Sequence, residues 1–169
     1  MVLVDNNILS ALAKIEQLDL LADLFHPVRT PSSVVDALNR AEAAGYSFVD
    51  RIDDVKAYDS GWLHIVTPTD TERRVADDIQ DHALSTTDAH CIAIAANRGW
   101  RLLTDDAHVG TIADQRDVSV WDLPLFFQAA IRYDYIETDE DLSRILASLR
   151  TKDGYRFAES DLETLYNEF

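Results

Sequence analysis

Short apolar segments with the length of buried strands alternate along this chain with longer segments whose apolar positions recur at helical spacing. The predicted strands are 1–5, 28–30, 62–66, 101–104 and 118–121. The predicted helices between them are 7–25 with a break near 17–19, 34–56 with a break near 45, 69–83, 89–97 and 107–115. This alternation predicts a three-layer α/β/α fold, with a mainly parallel sheet of four or five strands covered by helices on both faces.

The last part of the chain has a helical pattern only. Helices are predicted at 123–133, 139–149 and 160–169, with a turn at 152–154 before the last of them. No long linker separates these helices from the rest. We therefore predict a single domain over 1–169, with a core of about 1–122 and a helical C-terminal extension over about 123–169.

Several helix ends are marked by residues that favour caps. Pro31 is placed near the first helical position of its helix, with a following serine as a plausible cap. Thr69 or Asp70 is predicted to cap the next polar helix, and Thr86 or Thr87 the apolar helix after it. A glycine, Gly99, is expected to end that apolar helix.

Composition narrows the class of protein. Apolar residues make up 47% of the chain, which is typical of a globular domain, and no apolar run approaches the ~18 residues of a membrane span. The N-terminus carries no signal-peptide pattern, so we expect a cytoplasmic protein that does not bind a membrane. The single cysteine, Cys91, excludes an intramolecular disulfide framework and is expected to be a small buried apolar residue.

The charge is strongly acidic. There are 31 acidic and 15 basic residues, a net charge of −16, with aspartate far above glutamate and arginine above lysine. This balance is typical of surfaces that stay soluble in concentrated salt, so we interpret the protein as halophilic; an ordinary acidic bacterial protein is the alternative. The acidity does not exclude nucleic acid, because a local cluster of arginines can still bind a phosphate backbone.

Aspartates follow the apolar segments at three distant points of the chain. They are Asp5, Asp88 at the start of the apolar helix, and the pair Asp105 and Asp106. In a parallel sheet the carboxyl ends of the strands lie at one edge, so these side chains are expected to share a cleft. A carboxylate cluster is the preferred site for Mg²⁺ or Mn²⁺. Taken singly, each aspartate is also explained by helix capping or a turn.

The same segments resemble a known family. Val2-Leu3-Val4-Asp5-Asn6-Asn7-Ile8-Leu9 resembles the opening of PIN-domain ribonucleases, the fold of VapC-type toxins. The segment Ser85-Thr86-Thr87-Asp88-Ala89-His90-Cys91-Ile92 resembles the second aspartate helix of that family, and Leu102-Leu103-Thr104-Asp105-Asp106 resembles its last acidic strand end. The resemblance covers about residues 1–125 in order and spacing.

The resemblance implies a function and a set of residues. Asp5, Asp88 and Asp106 would be catalytic and hold Mg²⁺ or Mn²⁺, with Asp105 as a helper. The reaction would be metal-dependent hydrolysis of an RNA phosphodiester. The family also implies a role as the toxin of a toxin–antitoxin pair, an antitoxin protein as partner, and a homodimer.

One position departs from the family pattern. The glutamate expected in the helix after the second strand is Ala37 here, while Asp36 lies one residue earlier, about 100° around a helix. Asp36 is therefore a candidate fourth metal ligand, and Glu42 a more distant one. The departure leaves open a rival interpretation, a non-catalytic PIN-like binding module with an incomplete acidic site. A structure-specific DNA nuclease ranks lower.

Other polar residues are expected to have secondary roles. His90 and His108 are predicted to lie on the surface or behind the ligands, and Asn6 and Thr104 to orient ligands or to cap. Four arginines could contact phosphate, although a solvated face explains each of them better: Arg73, Arg74, Arg98 and Arg101.

Overall fold

The computed structural model describes residues 1–56, 61–80 and 83–169. The strands are β1 Val2–Val4, β2 Val28–Pro31, β3 Leu63–Val66, β4 Arg101–Leu103 and β5 Val120–Trp121. The helices are α1 Asn6–Lys14, α2 Asp19–Leu24, α3 Ser32–Ala43, α4 Val49–Val55, α5 Asp70–Ile79, α6 Thr86–Arg98, α7 Ala107–Asp114, α8 Leu123–Arg132, α9 Asp139–Ser148 and α10 Glu159–Tyr166. These bounds confirm the predicted α/β/α fold class.

The five strands form one parallel sheet in the order β3-β2-β1-β4-β5. The chain moves outward from β1 to β3, then returns to place β4 on the other side of β1. Leu3 of β1 is therefore paired with Arg29 of β2 and with Leu102 of β4. The strand order reverses between β1 and β4, and the carboxyl ends of strands at such a switch point are where open parallel sheets bind ligands.

Two of the predicted helix starts are wrong by one or two residues. Ser85, rather than Thr86 or Thr87, caps α6, because its hydroxyl accepts the N–H of Asp88 at 3.1 Å and both threonines already lie within the helix. Pro31 is the cap residue of α3 and no serine side chain caps this helix; the proline ends β2, and its extended backbone turns the chain directly into the helix.

Other predicted helix ends are confirmed. Thr69 caps α5 in a reciprocal pair with Glu72: each side chain accepts a backbone N–H from the other residue. Gly99 follows α6 with a φ of +62°, a conformation that a glycine adopts without steric cost. Helix α5 ends at Ile79, and residues 81–82 of the predicted helix 69–83 lie outside the described residues.

The C-terminal extension packs against the sheet domain. Phe126 and Phe127 of α8 are completely buried, with ring centroids 5.3 Å apart, and Phe126 also lies 6.4 Å from Phe25. A π-helical turn over Leu149–Asp153 overlaps the turn predicted at 152–154, and its Asp153 forms a 2.7 Å ion pair with Lys14 of α1. This contact places the π-helical turn of the extension beside Lys14, the last residue of α1. No helix in the described part of the chain is long and apolar enough to cross a membrane.

Candidate active site

Asp5 is buried at the carboxyl end of the central strand. It is only 1% exposed, and its backbone N–H donates to the carbonyl of Leu103 at the end of β4, at 3.1 Å. Its Oδ1 accepts the N–H of Ile8 at 2.8 Å and caps α1. Its Oδ2 is buried without a hydrogen-bond partner. An unsatisfied buried carboxylate oxygen is destabilising, so this position is a candidate for a bound cation.

The surroundings of Asp5 make its charge unfavourable. The pKa of Asp5 is raised to about 7, chiefly by burial and to a smaller extent by the charges of Asp88 and Asp105, while the hydroxyl of Thr104 and the N–H of Ile8 act in the opposite direction. Asp88 on α6 and Asp105 after β4 are therefore near enough to Asp5 at the end of β1 for their charges to act on it.

Asp88 lies in the first turn of α6, where its Oδ2 accepts the hydroxyl of Ser85 at 2.6 Å. One turn further along α6 is Cys91, which is fully buried, as the sequence predicted. Burial raises the pKa of the Cys91 thiol, and the charges of Asp5 and Asp88 add to this rise. Cys91 therefore lies close to both aspartates, which indicates that Asp5 and Asp88 are near each other.

The adjacent residues Asp105 and Asp106 make different contacts. Asp105 Oδ1 accepts the N–H of Leu123 at 3.1 Å and the hydroxyl of Tyr155 at 2.9 Å, and burial raises its pKa. Asp106 is exposed and its Oδ1 caps α7 by accepting two backbone N–H groups. The charge that acts on Asp5 is that of Asp105. The contacts thus favour Asp105 where the resemblance implied Asp106, because the start of α7 turns the second carboxylate toward its own backbone.

A cavity of about 300 Å³ lies at this edge of the sheet, and both members of the pair line it. The C-terminal extension contributes Asp153 and Tyr155 to its wall. Sequence reasoning did not identify Tyr155 as part of the site. No local pattern could have done so, since a tyrosine after a Lys-Asp-Gly turn carries no sign of its distant partner Asp105.

The donor set fits a hard divalent cation in its chemistry. Carboxylate oxygens are the preferred ligands of such ions, and the partnerless Oδ2 of Asp5 lacks the positive neighbour that an ion would supply. Among the described residues, no group of three or more His, Cys, Asp or Glu side chains is arranged to hold a metal. Mg²⁺ does not require such a cage, because it keeps several waters and is commonly held by one or two carboxylates.

A family model described as a PIN domain matches residues 1–169 of the chain. The chain belongs to the PIN-domain family. PIN domains are typically nucleases, so a nuclease-like class is supported for this protein. No curated protein matches the chain. The match extends through the C-terminal helices, beyond residue 125 where the sequence resemblance ended.

The fourth acid expected of a PIN domain is absent from its usual position. Ala37 is half-buried on α3, and Asp36 beside it is exposed. Asp36 is not among the groups whose charges act on Asp5. Glu42 is exposed near the end of the same helix. Among the described residues of this PIN domain, Asp5, Asp88 and Asp105 therefore lie in one region. Neither Asp36 nor Glu42 replaces the missing fourth acid there.

Three of the other polar candidates, His90, Arg98 and Arg101, face groups outside this acidic site. The Nδ1 of His90 is buried without a partner, and the charges that act on this ring are those of Arg73 and Asp77 on α5. Arg98 pairs with the buried Glu72, and Arg101 lies over the ring of Trp121 at 4.1 Å. These arginines therefore stabilise the PIN fold.

Proposed function

We propose that this PIN domain is an endoribonuclease that hydrolyses RNA phosphodiester bonds with the help of Mg²⁺ or Mn²⁺. The observation that carries the proposal is the buried Oδ2 of Asp5, which has no partner and lies near two further aspartates. A bound divalent ion supplies a water of lowered pKa and shields charge on the phosphate.

The chain's own residues orient the three carboxylates. One oxygen of each is fixed by donors: the N–H of Ile8 for Asp5, the hydroxyl of Ser85 for Asp88, and two donors for Asp105. The structure records no hydrogen bond from a described residue to the second oxygen of any of the three. Each carboxylate is thus held on one side and available to an ion or a water on the other, an arrangement that favours a preorganised site.

The decisive experiment compares RNA cleavage by the wild type and by Asp5→Asn, with Mn²⁺, from low to molar salt. Asparagine also caps helices well, so α1 should be retained while the charge is lost. We expect cleavage to fall at least ~100-fold, which is the scale of losing a group that stabilises charge in the transition state. Asp23→Asn, an exposed change on α2, is the matched control. Equal cleavage by Asp5→Asn and Asp23→Asn would exclude the proposed role of Asp5.

A non-catalytic PIN module is the second candidate function. Ala37 in place of the expected acid favours it, as does the lack, among described residues, of a three-acid group spaced for a metal. Calorimetric titration with Mn²⁺ separates the two functions. The absence of binding heat from a folded protein would support the module, whereas saturable binding that Asp5→Asn removes would support the nuclease.

The resemblance to VapC-type toxins extends the proposal to a toxin with an antitoxin partner and a homodimeric state. Tyr133 and Tyr135 of the extension are 70% and 44% exposed and offer aromatic surface for such contacts. The extended proposal is tested by expressing the protein alone and together with the product of the neighbouring gene. Growth arrest that the neighbour relieves would support it. Normal growth in the presence of active wild-type protein would refute the toxin role.

A further inference from the structure

A short segment of the extension carries three cations that form no ion pair with a carboxylate of the described residues. Arg150, Lys152 and Arg156 are all exposed, and the described part of the chain records no ion pair or hydrogen bond for their side chains. Some other exposed cations are paired, such as Arg51 with Glu16 at 2.8 Å, whereas ones that are unpaired among the described residues, such as Arg40 and Arg116, stand singly in the sequence. In a chain with a net charge of −16, three adjacent unpaired cations form an unusual local surface.

A cavity of about 570 Å³ lies against this segment. Its lining includes the rings of Tyr155, Phe157 and Tyr166 together with Arg150 and Arg156, and none of the described residues that line it is acidic. We call it the tail cavity. Two guanidinium groups combined with aromatic rings are the chemistry that binds single-stranded nucleic acid, because guanidinium binds phosphate and rings stack on bases of any sequence.

Tyr155 connects the tail cavity with the aspartates. It lines both the tail cavity and the cavity of about 300 Å³ that contains Asp105 and Asp106. Its hydroxyl donates to Asp105, and its ring packs edge-on against Phe157 at 4.8 Å, which in turn contacts Phe127 at 6.0 Å. Packing therefore fixes the position of Tyr155, the wall that the two cavities share. The cavity with Arg150 and Arg156 lies on one side of this wall, and the cavity with Asp105 and Asp106 lies on the other.

We propose that the tail cavity binds the stretch of single-stranded RNA next to the phosphate that is cut. Arg150 and Arg156 contact the phosphate backbone, Lys152 adds positive charge at the rim, and the exposed ring of Tyr166 stacks on a base. This inference rests on the proposed endoribonuclease function, which it extends by naming how the substrate strand is held. It gives the C-terminal extension a part in substrate binding.

The overall acidity of the protein is compatible with this site. Exposed charges separated by more than a Debye length of about 10 Å at 0.1 M salt, or about 3 Å at 1 M, are largely screened from each other. Direct contacts between the tail arginines and phosphates act below that range. Salt therefore screens the repulsion between distant acidic residues and RNA, while the tail arginines contact phosphate directly.

The test measures binding of a labelled, unstructured RNA of about 12 nucleotides, within the usual range for a single-strand site, by fluorescence anisotropy in EDTA. The variant is the double substitution Arg150→Gln and Arg156→Gln. The matched control is the double substitution Arg40→Gln and Arg116→Gln, which removes the same charge from exposed positions elsewhere. We expect the tail variant to bind at least ~10-fold more weakly than the control at equal salt. Its slope of log affinity against log salt should also be reduced by about 1.4, since each of the two lost phosphate contacts on a single strand contributes about 0.7.

A second pair of variants tests stacking. Tyr166→Leu removes the ring that lines the tail cavity, and Tyr133→Leu removes an exposed ring elsewhere. Base stacking on an aromatic ring contributes about 1–3 kcal/mol, so Tyr166→Leu is expected to weaken RNA binding at least ~5-fold, while Tyr133→Leu leaves it unchanged.

Three results would overturn the inference. They are equal RNA binding by the tail variant and its control, no RNA binding by the wild type, and a tail variant that binds RNA normally but loses self-association in light scattering. Measuring RNA cleavage distinguishes a failure of the tail-cavity proposal from a failure of the proposed endoribonuclease function. Wild-type cleavage that Asp5→Asn removes, with unchanged binding by the tail variant, would refute the tail cavity alone. No Mn²⁺-dependent cleavage by the wild type would refute both.

Discussion

Among the described residues of this PIN domain, two acidic side chains are almost fully buried, and they differ in how their charge is satisfied. Glu72 on α5 is 0% exposed and Asp5 at the end of β1 is 1% exposed. Glu72 accepts the Nε and Nη2 of Arg98 at 2.7 and 2.9 Å, the side-chain amide of Asn97 at 3.1 Å and the N–H of Thr69 at 2.7 Å. Asp5 accepts one backbone N–H and leaves Oδ2 without a partner.

The contrast appears in the acidity of the two groups. Hydrogen bonds from Arg98, opposed by burial, lower the pKa of Glu72 to about 2, whereas burial raises the pKa of Asp5 to about 7. The same fold satisfies the buried carboxylate of Glu72 with several hydrogen-bond donors and leaves one oxygen of the buried carboxylate of Asp5 unsatisfied. The satisfied acid joins α5 to α6 and is structural. The unsatisfied acid is where a function with an external cation is expected.

The largest expected effect is on stability, when the Glu72 network is broken. Glu72→Gln removes the charge that Arg98 neutralises, so the free energy of unfolding should fall by about 3 kcal/mol, the lower range for breaking a buried ion pair. Denaturant unfolding measures it, with the exposed Glu42→Gln as control. RNA cleavage per folded molecule should be unchanged; a loss of cleavage greater than the loss of folded protein would mean that Glu72 is not purely structural.

The pH dependence of stability should show the same network. The pKa of Glu72 is lowered from 4.5 to about 2 in the folded protein, so the unfolded chain binds more protons between these values. The stability from Glu72 is therefore fully present above about pH 4.5 and is lost as the pH falls toward about 2. We expect the difference in unfolding free energy between wild type and Glu72→Gln to shrink over this window. A difference that stays constant there would contradict the assignment.

A smaller effect distinguishes Asp105 from Asp106. Asp105→Asn keeps an oxygen for its two donors but removes the charge near Asp5, so the affinity for Mn²⁺ measured by calorimetry should fall at least ~10-fold. Asp106→Asn keeps the cap of α7 and should change that affinity by less than ~2-fold, since asparagine and aspartate cap equally well. The reverse order of effects would restore Asp106 as the metal ligand that the resemblance implied.

The smallest expected effect is a gain in stability. In EDTA, Asp5→Asn replaces an unpaired buried charge by a neutral side chain that still caps α1, so the free energy of unfolding should rise by about 1 kcal/mol, as at other destabilised functional positions. Thermal unfolding of wild type and variant at neutral pH measures it. A variant less stable than the wild type without metal would show that Asp5 is satisfied in solution and would weaken the contrast with Glu72.

Much of the architecture could be predicted because its signals are local. The buried segment Val2–Val4, the break in α1–α2 and the end of α6 at Gly99 follow from apolar spacing and from residues with restricted backbone preferences. Errors of one or two residues arose at Ser85 and Pro31, where neighbouring residues offer equally good caps and only the folded backbone selects one.

Glu72 shows what local patterns do not reveal. In sequence it is one more acid in a polar helix, and its capping pair with Thr69 is the only local sign of order. Its burial and its ion pair with Arg98 depend on α5 packing against α6, across 26 positions of the chain. Likewise, the preference for Asp105 and the contribution of Tyr155 depend on the extension folding back to the carboxyl end of β4.

The sequence by itself determined the parallel α/β fold class and the positions of Asp5, Asp88 and the Asp105–Asp106 pair. The reason is that strand and helix periodicity, and an acid at the end of a strand, are each recognised from a few neighbouring residues. The tertiary structure alone decided which carboxylates meet, which buried acid is satisfied, and where unpaired cations line a cavity beside aromatic rings. Those outcomes depend on contacts between segments distant in the chain, and on the desolvation and charge that such contacts create.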